Sequence, residues 1–171
     1  MNFLGMASAR FSVRKYQERP VEDEKINAIL EAGRLAPTAH NYQPQKIYVV
    51  RSVEAREKLK SVCKCTFDAP VIFVVGYDRD RCWKNHLMPG YESGETDASI
   101  VCTHMMLEAS DLGLGCCWVG LFSSEEIKSA LRLPENVRVT SLLPTGYAAE
   151  GVEPIALHTT FRDMDDMVAW L

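Results

Sequence analysis

Two short runs constrain this chain more than anything else in it: "KIYVV" at 46–50 and "VIFVVGY" at 71–77. Both are continuously apolar and rich in β-branched side chains, without the polar–apolar alternation of a sheet with one wet face. Such strands need cover on both faces, so helices must lie above and below the sheet. Residues 24–35 place Ile26, Ile29, Leu30 and Gly33 at helical spacing behind an acidic start, and Pro37 closes the element. Ser52–Cys63 reads as an amphipathic helix. In 95–112, Ala98, Val101, Met105, Ala109 and Leu112 form one stripe that Ile100, Met106 and Leu107 widen. That stripe is broader than a surface helix needs, and it predicts burial at the centre of the fold or at a subunit contact. Ser123 to Glu126 form a capping box opening a fourth helix up to Leu131. "GLGCCWVGL" (113–121) and "VRVTSLLPTGY" (137–147) predict two further strands. The stretches 78–94 and 148–171 show no periodicity that assigns them an element.

Helices alternating with apolar strands, without repeats or linkers, predict a single domain of layered α/β or α+β class over residues 1–171. A chain of this size buries roughly two-thirds of its unfolded surface. With 25% charged residues and a net charge of −4, it offers no large attraction for nucleic acid or acidic membranes, so a small diffusible partner is expected. No apolar run approaches the roughly 20 residues of a membrane span, and the amino terminus has no leader pattern, so a cytoplasmic protein is expected. The six cysteines show no CxxC pairing, so no metal site is expected. All are expected to be reduced, with Cys102, Cys116 and Cys117 acting as small buried hydrophobes. His104, on an apolar helix, is expected to be a hydrogen-bonded core or interface histidine.

Two segments carry candidate chemistry. In "ARFSVRKY" (9–16), an extended backbone sends Phe11 and Val13 one way and Arg10, Ser12 and Arg14 the other. Two guanidiniums and a hydroxyl then converge, which suits phosphate oxygens and the edge of a planar heterocycle. The same spacing also suits a solvated basic edge. In "APTAHNYQPQ" (36–45), prolines and an asparagine exclude helix and strand while polar groups crowd between apolar segments. Gly113-Leu-Gly115 follows a helix and lacks the third glycine of a dinucleotide turn, and there is no P-loop, GxSxG or HExxH. Any chemistry is therefore expected to be carried by a cofactor.

Taken in order, "RFSVRKY", "APTAHNYQPQ", "DASIVCTHMMLEASDLGLGCCWVG" (97–120) and "LLPTGY" (142–147) resemble the nitroreductase family of FMN flavoproteins. The resemblance implies an α+β fold with a mixed central sheet flanked by helices, in an interlocked homodimer holding FMN at the subunit interface. It implies that Arg10, Ser12 and Arg14 grip the phosphate, ribityl chain and pyrimidine edge. Pro37, Thr38, Ala39 and Asn41 would reach the flavin from the partner subunit. Trp118, Val119 and Gly120 would lie along the ring, with a backbone N–H facing its N5. Arg162 is the candidate carboxy-terminal cation for the phosphate, and His158 the fallback. Gln45 stands after Pro44 where the family commonly carries tryptophan.

The implied activity is hydride transfer from NAD(P)H through the flavin to nitroaromatics, quinones or similar electron-poor acceptors, in ping-pong order with no side chain acting as acid or base. Loop 78–94, with Trp83, His86 and Tyr91, is the expected lid. Reductive dehalogenation, oxidation of a specific small molecule, and a non-catalytic flavin-binding or dimerisation module are the alternative readings.

Overall fold

The computed structural model describes residues 2–171. The elements follow as α1 (Phe3–Ala9), α2 (Asp23–Leu35), β1 (Gln45–Val50), α3 (Val53–Val62), β2 (Val71–Asp78), α4 (Gly94–Asp111), β3 (Gly115–Cys116), α5 (Ser124–Leu131) and β4 (Val137–Gly146). The strands pair in the order β1-β2-β4-β3, every neighbour antiparallel. Among the described residues, the one parallel contact is a bridge from Ser12 to Cys116.

β2 explains the layering. All of its residues are buried, and their period of two splits them between two cores. Val71, Phe73, Val75 and Tyr77 face Ile26 and Ile29 of α2 and Val101, Met105 and Ala109 of α4. Ile72 and Val74 face Leu59 of α3 and Ile127 of α5. Each fully buried Val, Ile or Phe contributes about 1.5–3 kcal/mol of transfer free energy, which fixes the register of this strand. β1 lies at the sheet edge, and its residues are half-buried up to Val50, so its expected cover on both faces is only partial.

The structure departs from the expected elements in two places. The apolar run 113–121 is a strand only at Gly115–Cys116. Those residues pair with Gly146 and Thr145, and Pro144 comes next. Its carbonyl accepts the Cys117 N–H at 3.2 Å, but proline has no N–H to return, so the ladder breaks. It resumes as an isolated bridge between Val119 and Leu142. Helix α1 was not expected, because it is only seven residues long and buries none of them; the Asn2 side chain caps it by accepting the Gly5 N–H at 2.8 Å.

The unassigned stretches are ordered loops. Residues 78–94 carry a bridge between Lys84 and Glu92. The tail beyond 151 makes two 3-10 turns and buries nothing, leaving Leu157, Phe161, Met164 and Trp170 exposed.

Candidate active site

The segment leaving α1 is extended, as its alternation predicts. The Val13 N–H donates to the Cys116 carbonyl at 3.0 Å, and Val13 is 2% exposed. This close approach requires Gly115, where an added Cβ would stand 2.6 Å from Val13 Cγ2. The Tyr16 hydroxyl secures the other end, 2.7 Å from the Val13 carbonyl and 2.9 Å from that of Pro144. Burial pushes this phenol far above its ordinary pKa, with the neighbouring thiols of Cys116 and Cys117 adding to the effect, so it stays a donor.

With Val13 held inward, Arg10, Ser12 and Arg14 line one cleft of about 290 Å³. Phe11 does not follow Val13 inward. It lines the same cleft, edge-on to the His158 ring at a centroid distance of 6.2 Å. Ile155, Leu157 and His158 of the tail complete the wall. His158 Nε2 lies 3.0 Å from the Ser8 carbonyl. A carbonyl only accepts, so this nitrogen carries the proton. Arg162 is exposed, donates to the Asp166 carbonyl at 3.4 Å, and does not line the cleft. A larger neighbouring cleft of about 470 Å³ shares Arg10 and Phe11 and runs back to Met6, Leu114 and Gly115.

Trp118, Val119 and Gly120 continue from Cys116, the residue bridged to Ser12. Trp118 packs against the α2–α4 core, Val119 is buried, and Gly120 is exposed. Among the described residues nothing accepts a hydrogen bond from the Gly120 N–H.

Pro37, Thr38, Ala39 and Asn41 lie apart from this cleft. Their loop is pinned by the Ala39 N–H donating to Asp97 Oδ1 at 2.8 Å and the Gln43 N–H donating to Thr38 Oγ1 at 3.1 Å. The His40 ring stacks on Trp83 at 5.3 Å, so the loop sits on the stretch 78–94. Asp97, Ser93 and the His40–Trp83 pair escape sequence reasoning. The only cue is a carboxyl group placed beside the apolar stripe of a buried helix.

A layered α+β fold carrying an arginine-lined cleft at the β3 edge is the class that these features define. The nitroreductase family profile matches residues 7–68 and 63–147. A protein of Methanothermobacter thermautotrophicus named as an NADH dehydrogenase/NAD(P)H nitroreductase is 35% identical over 157 residues, covering 88% of this chain and 79% of its own. A nitroreductase family protein of Clostridium difficile superposes with a TM-score of 0.92 at 35% identity, covering 99% of this chain and 98% of its own. A Desulfovibrio desulfuricans nitroreductase solved in complex with FMN superposes with a TM-score of 0.83 at 25% identity, covering 100% of this chain and 98% of its own. This chain belongs to the nitroreductase family.

Proposed function

We propose that this chain is an FMN-dependent oxidoreductase that passes a hydride from NAD(P)H to nitroaromatics, quinones or similar electron-poor small molecules. It works in the cytoplasm as one domain over residues 1–171, in a homodimer with FMN at each subunit interface. The observation that carries the reading is the lining of one cleft by Arg10, Ser12 and Arg14.

The residues fit the group. Two guanidinium forks and a hydroxyl suit a phosphate and the polar edge of a planar ring, and the exposed Gly120 N–H, outside the lining of the cleft, is a further donor, unpaired among the described residues. FMN bound there supplies hydride acceptance and release at its N5, and serving donor and acceptor in turn gives ping-pong order. Arg10 and Arg14 bind and neutralise anionic oxygens at the mouth of the cleft. Trp118 and Val119 line neither cleft within one chain; they continue the backbone from β3, with Val119 fixed by its bridge to Leu142, and in this reading the ring reaches past the arginine cleft toward this segment. Of the two tail candidates, His158 is the phosphate partner, since it lines the cleft and Arg162 does not.

Pro37, Thr38, Ala39 and Asn41 act in trans. Their separation from the Arg10 cleft within one chain is what a site completed by a second subunit requires. A thiol-based redox role is not favoured, because burial pushes the Cys102 and Cys116 thiols up to about 12.

The test is the visible spectrum of the FMN-supplied protein under anaerobic conditions, before and after NADH and then NADPH. Flavin bands that bleach are expected. Bands that persist would remove NAD(P)H as donor, and no bands at all would remove the flavin. Arg10→Ala is expected to raise the Kd for FMN roughly tenfold to hundredfold, the worth of a charge-assisted hydrogen bond. An unchanged Kd would overturn the phosphate assignment.

A further inference from the structure

One carboxyl group joins two loops that lie apart from the arginine cleft, 36–44 and 78–94. Asp97, in the first turn of α4, is 2% exposed, and among the described residues no salt bridge reaches it. A buried carboxyl group without a cation is costly to keep unless its hydrogen bonds are worth keeping. Its Oδ1 accepts the Ala39 N–H at 2.8 Å, and its Oδ2 accepts the Ser93 hydroxyl at 2.7 Å. Ala39 belongs to loop 36–44, and Ser93 closes loop 78–94. The Ser93 N–H in turn donates to the Trp83 carbonyl at 2.9 Å.

A second tie runs through the rings. His40 stacks on Trp83 with 24° between planes, and Tyr91 packs edge-on to Trp83 at 6.4 Å. The loop so held is strained: His40, Asn41 and Gln43 have φ of 51°, 54° and 49°. Residues with side chains rarely adopt this region, and they persist there only where the surroundings hold them.

We propose that Asp97 is a positioning residue that welds loops 36–44 and 78–94 into one unit, so that flavin capture and acceptor choice are set together. This rests on the FMN reading above. Asp97 presets the backbone of Thr38, Ala39 and Asn41 before the ligand arrives, which lowers the ordering cost of binding. The same bond ties Trp83 and Tyr91 to loop 36–44, so in the proposed dimer their rings would travel with that loop to the partner's cleft as an aromatic surface suited to a flat, electron-poor acceptor.

The test compares wild type, Asp97→Asn, Asp97→Ala and His40→Ala. The readouts are the Kd for FMN, the KM and kcat for a benzoquinone, and amide exchange of residues 38–43 and 83–93 without FMN. Asp97→Ala is expected to raise the FMN Kd roughly tenfold to hundredfold, to raise the quinone KM while kcat at saturation stays within about twofold, and to speed exchange in both loops. Asp97→Asn keeps an acceptor for Ala39, and the Ser93 hydroxyl can turn to accept from the amide. It is therefore expected within about threefold of wild type, a rescue that a role resting on the negative charge of the carboxylate would not give.

If Asp97→Ala fails to fold, His40→Ala decides, since it sits on an exposed loop. It must raise the FMN Kd and the quinone KM together, and a shift in neither overturns the proposal. Asp97→Ala with wild-type exchange and Kd overturns it as well, as does an Asp97→Asn as damaging as Asp97→Ala. A wild type that takes up no FMN fails the functional reading instead. Exchange then decides: faster exchange in both loops of Asp97→Ala supports the weld, and unchanged exchange overturns it.

Discussion

A single missing methyl at Gly115 lets the arginine segment lie against the sheet. Its backbone must lie against Val13 for Ser12 to bridge Cys116, and that bridge turns Arg10, Ser12 and Arg14 outward. Gly115→Ala drives a Cβ into a β-branched side chain with nowhere to move. It is expected to destabilise the fold by about 1–3 kcal/mol, the usual cost of overpacking, and to weaken FMN uptake as the segment is pushed off the sheet. Urea melts and flavin titration measure both, and no change in either would mean that the contact yields freely. At this scale the arginine–serine–arginine set was legible because an extended segment obeys a period of two. Asp97 was not, because its partner Ala39 lies 58 residues away and nothing local marks the pairing.

Between elements, the start of α2 is fastened to the end of β4 by a small charged cluster. The Tyr147 hydroxyl donates to Glu22 Oε2 at 2.7 Å, Arg19 Nη2 donates to Oε1 at 2.6 Å, and the Arg19 guanidinium lies 3.9 Å above the Tyr147 ring. The Tyr147 bond chiefly, then a bond to its own backbone and the one from Arg19, hold the Glu22 pKa at about 2 against an ordinary 4.5. A carboxyl group depressed on folding adds stability that is present above its unfolded pKa and lost as pH falls through the folded one. Wild type should therefore lose stability relative to Tyr147→Phe between about pH 4.5 and pH 2. Parallel curves from urea melts across that range would discard the cluster as a fastener.

The same scale shows why most elements were readable. α2 to α5, β2 and β4 each answer to a core on one or both faces, and cores impose periodicity. The strand expected over 113–121 shrank because Pro144 stands on the neighbouring strand, and α1 went unread because it faces no core.

At the scale of the whole molecule, apolar surface remains unspent. Phe3, Leu4, Phe161 and Trp170 are 63%, 76%, 83% and 94% exposed, more than a lone chain of this size has reason to display. The proposed homodimer gives that surface a use and brings loop 36–44 to a second Arg10 cleft. Light scattering should give a mass near twice 19.2 kDa, and the melting temperature should rise with protein concentration. A monomer that still bound FMN would contradict the arrangement. In the sequence the dimer is an expectation carried by family resemblance and, more weakly, by the broad apolar stripe of 95–112, since no pattern within one chain states what its exposed tail covers.

The thiols bear on how such a protein handles electrons. Burial raises the pKa of Cys63, Cys82, Cys102 and Cys116, and the protonated thiol is the unreactive form. A cysteine-rich chain could be expected to siphon charge into disulfides whenever its cofactor is slow to discharge. Here those four sulfurs are kept as protonated thiols, so none of them offers a ready side exit for electrons bound for the proposed flavin.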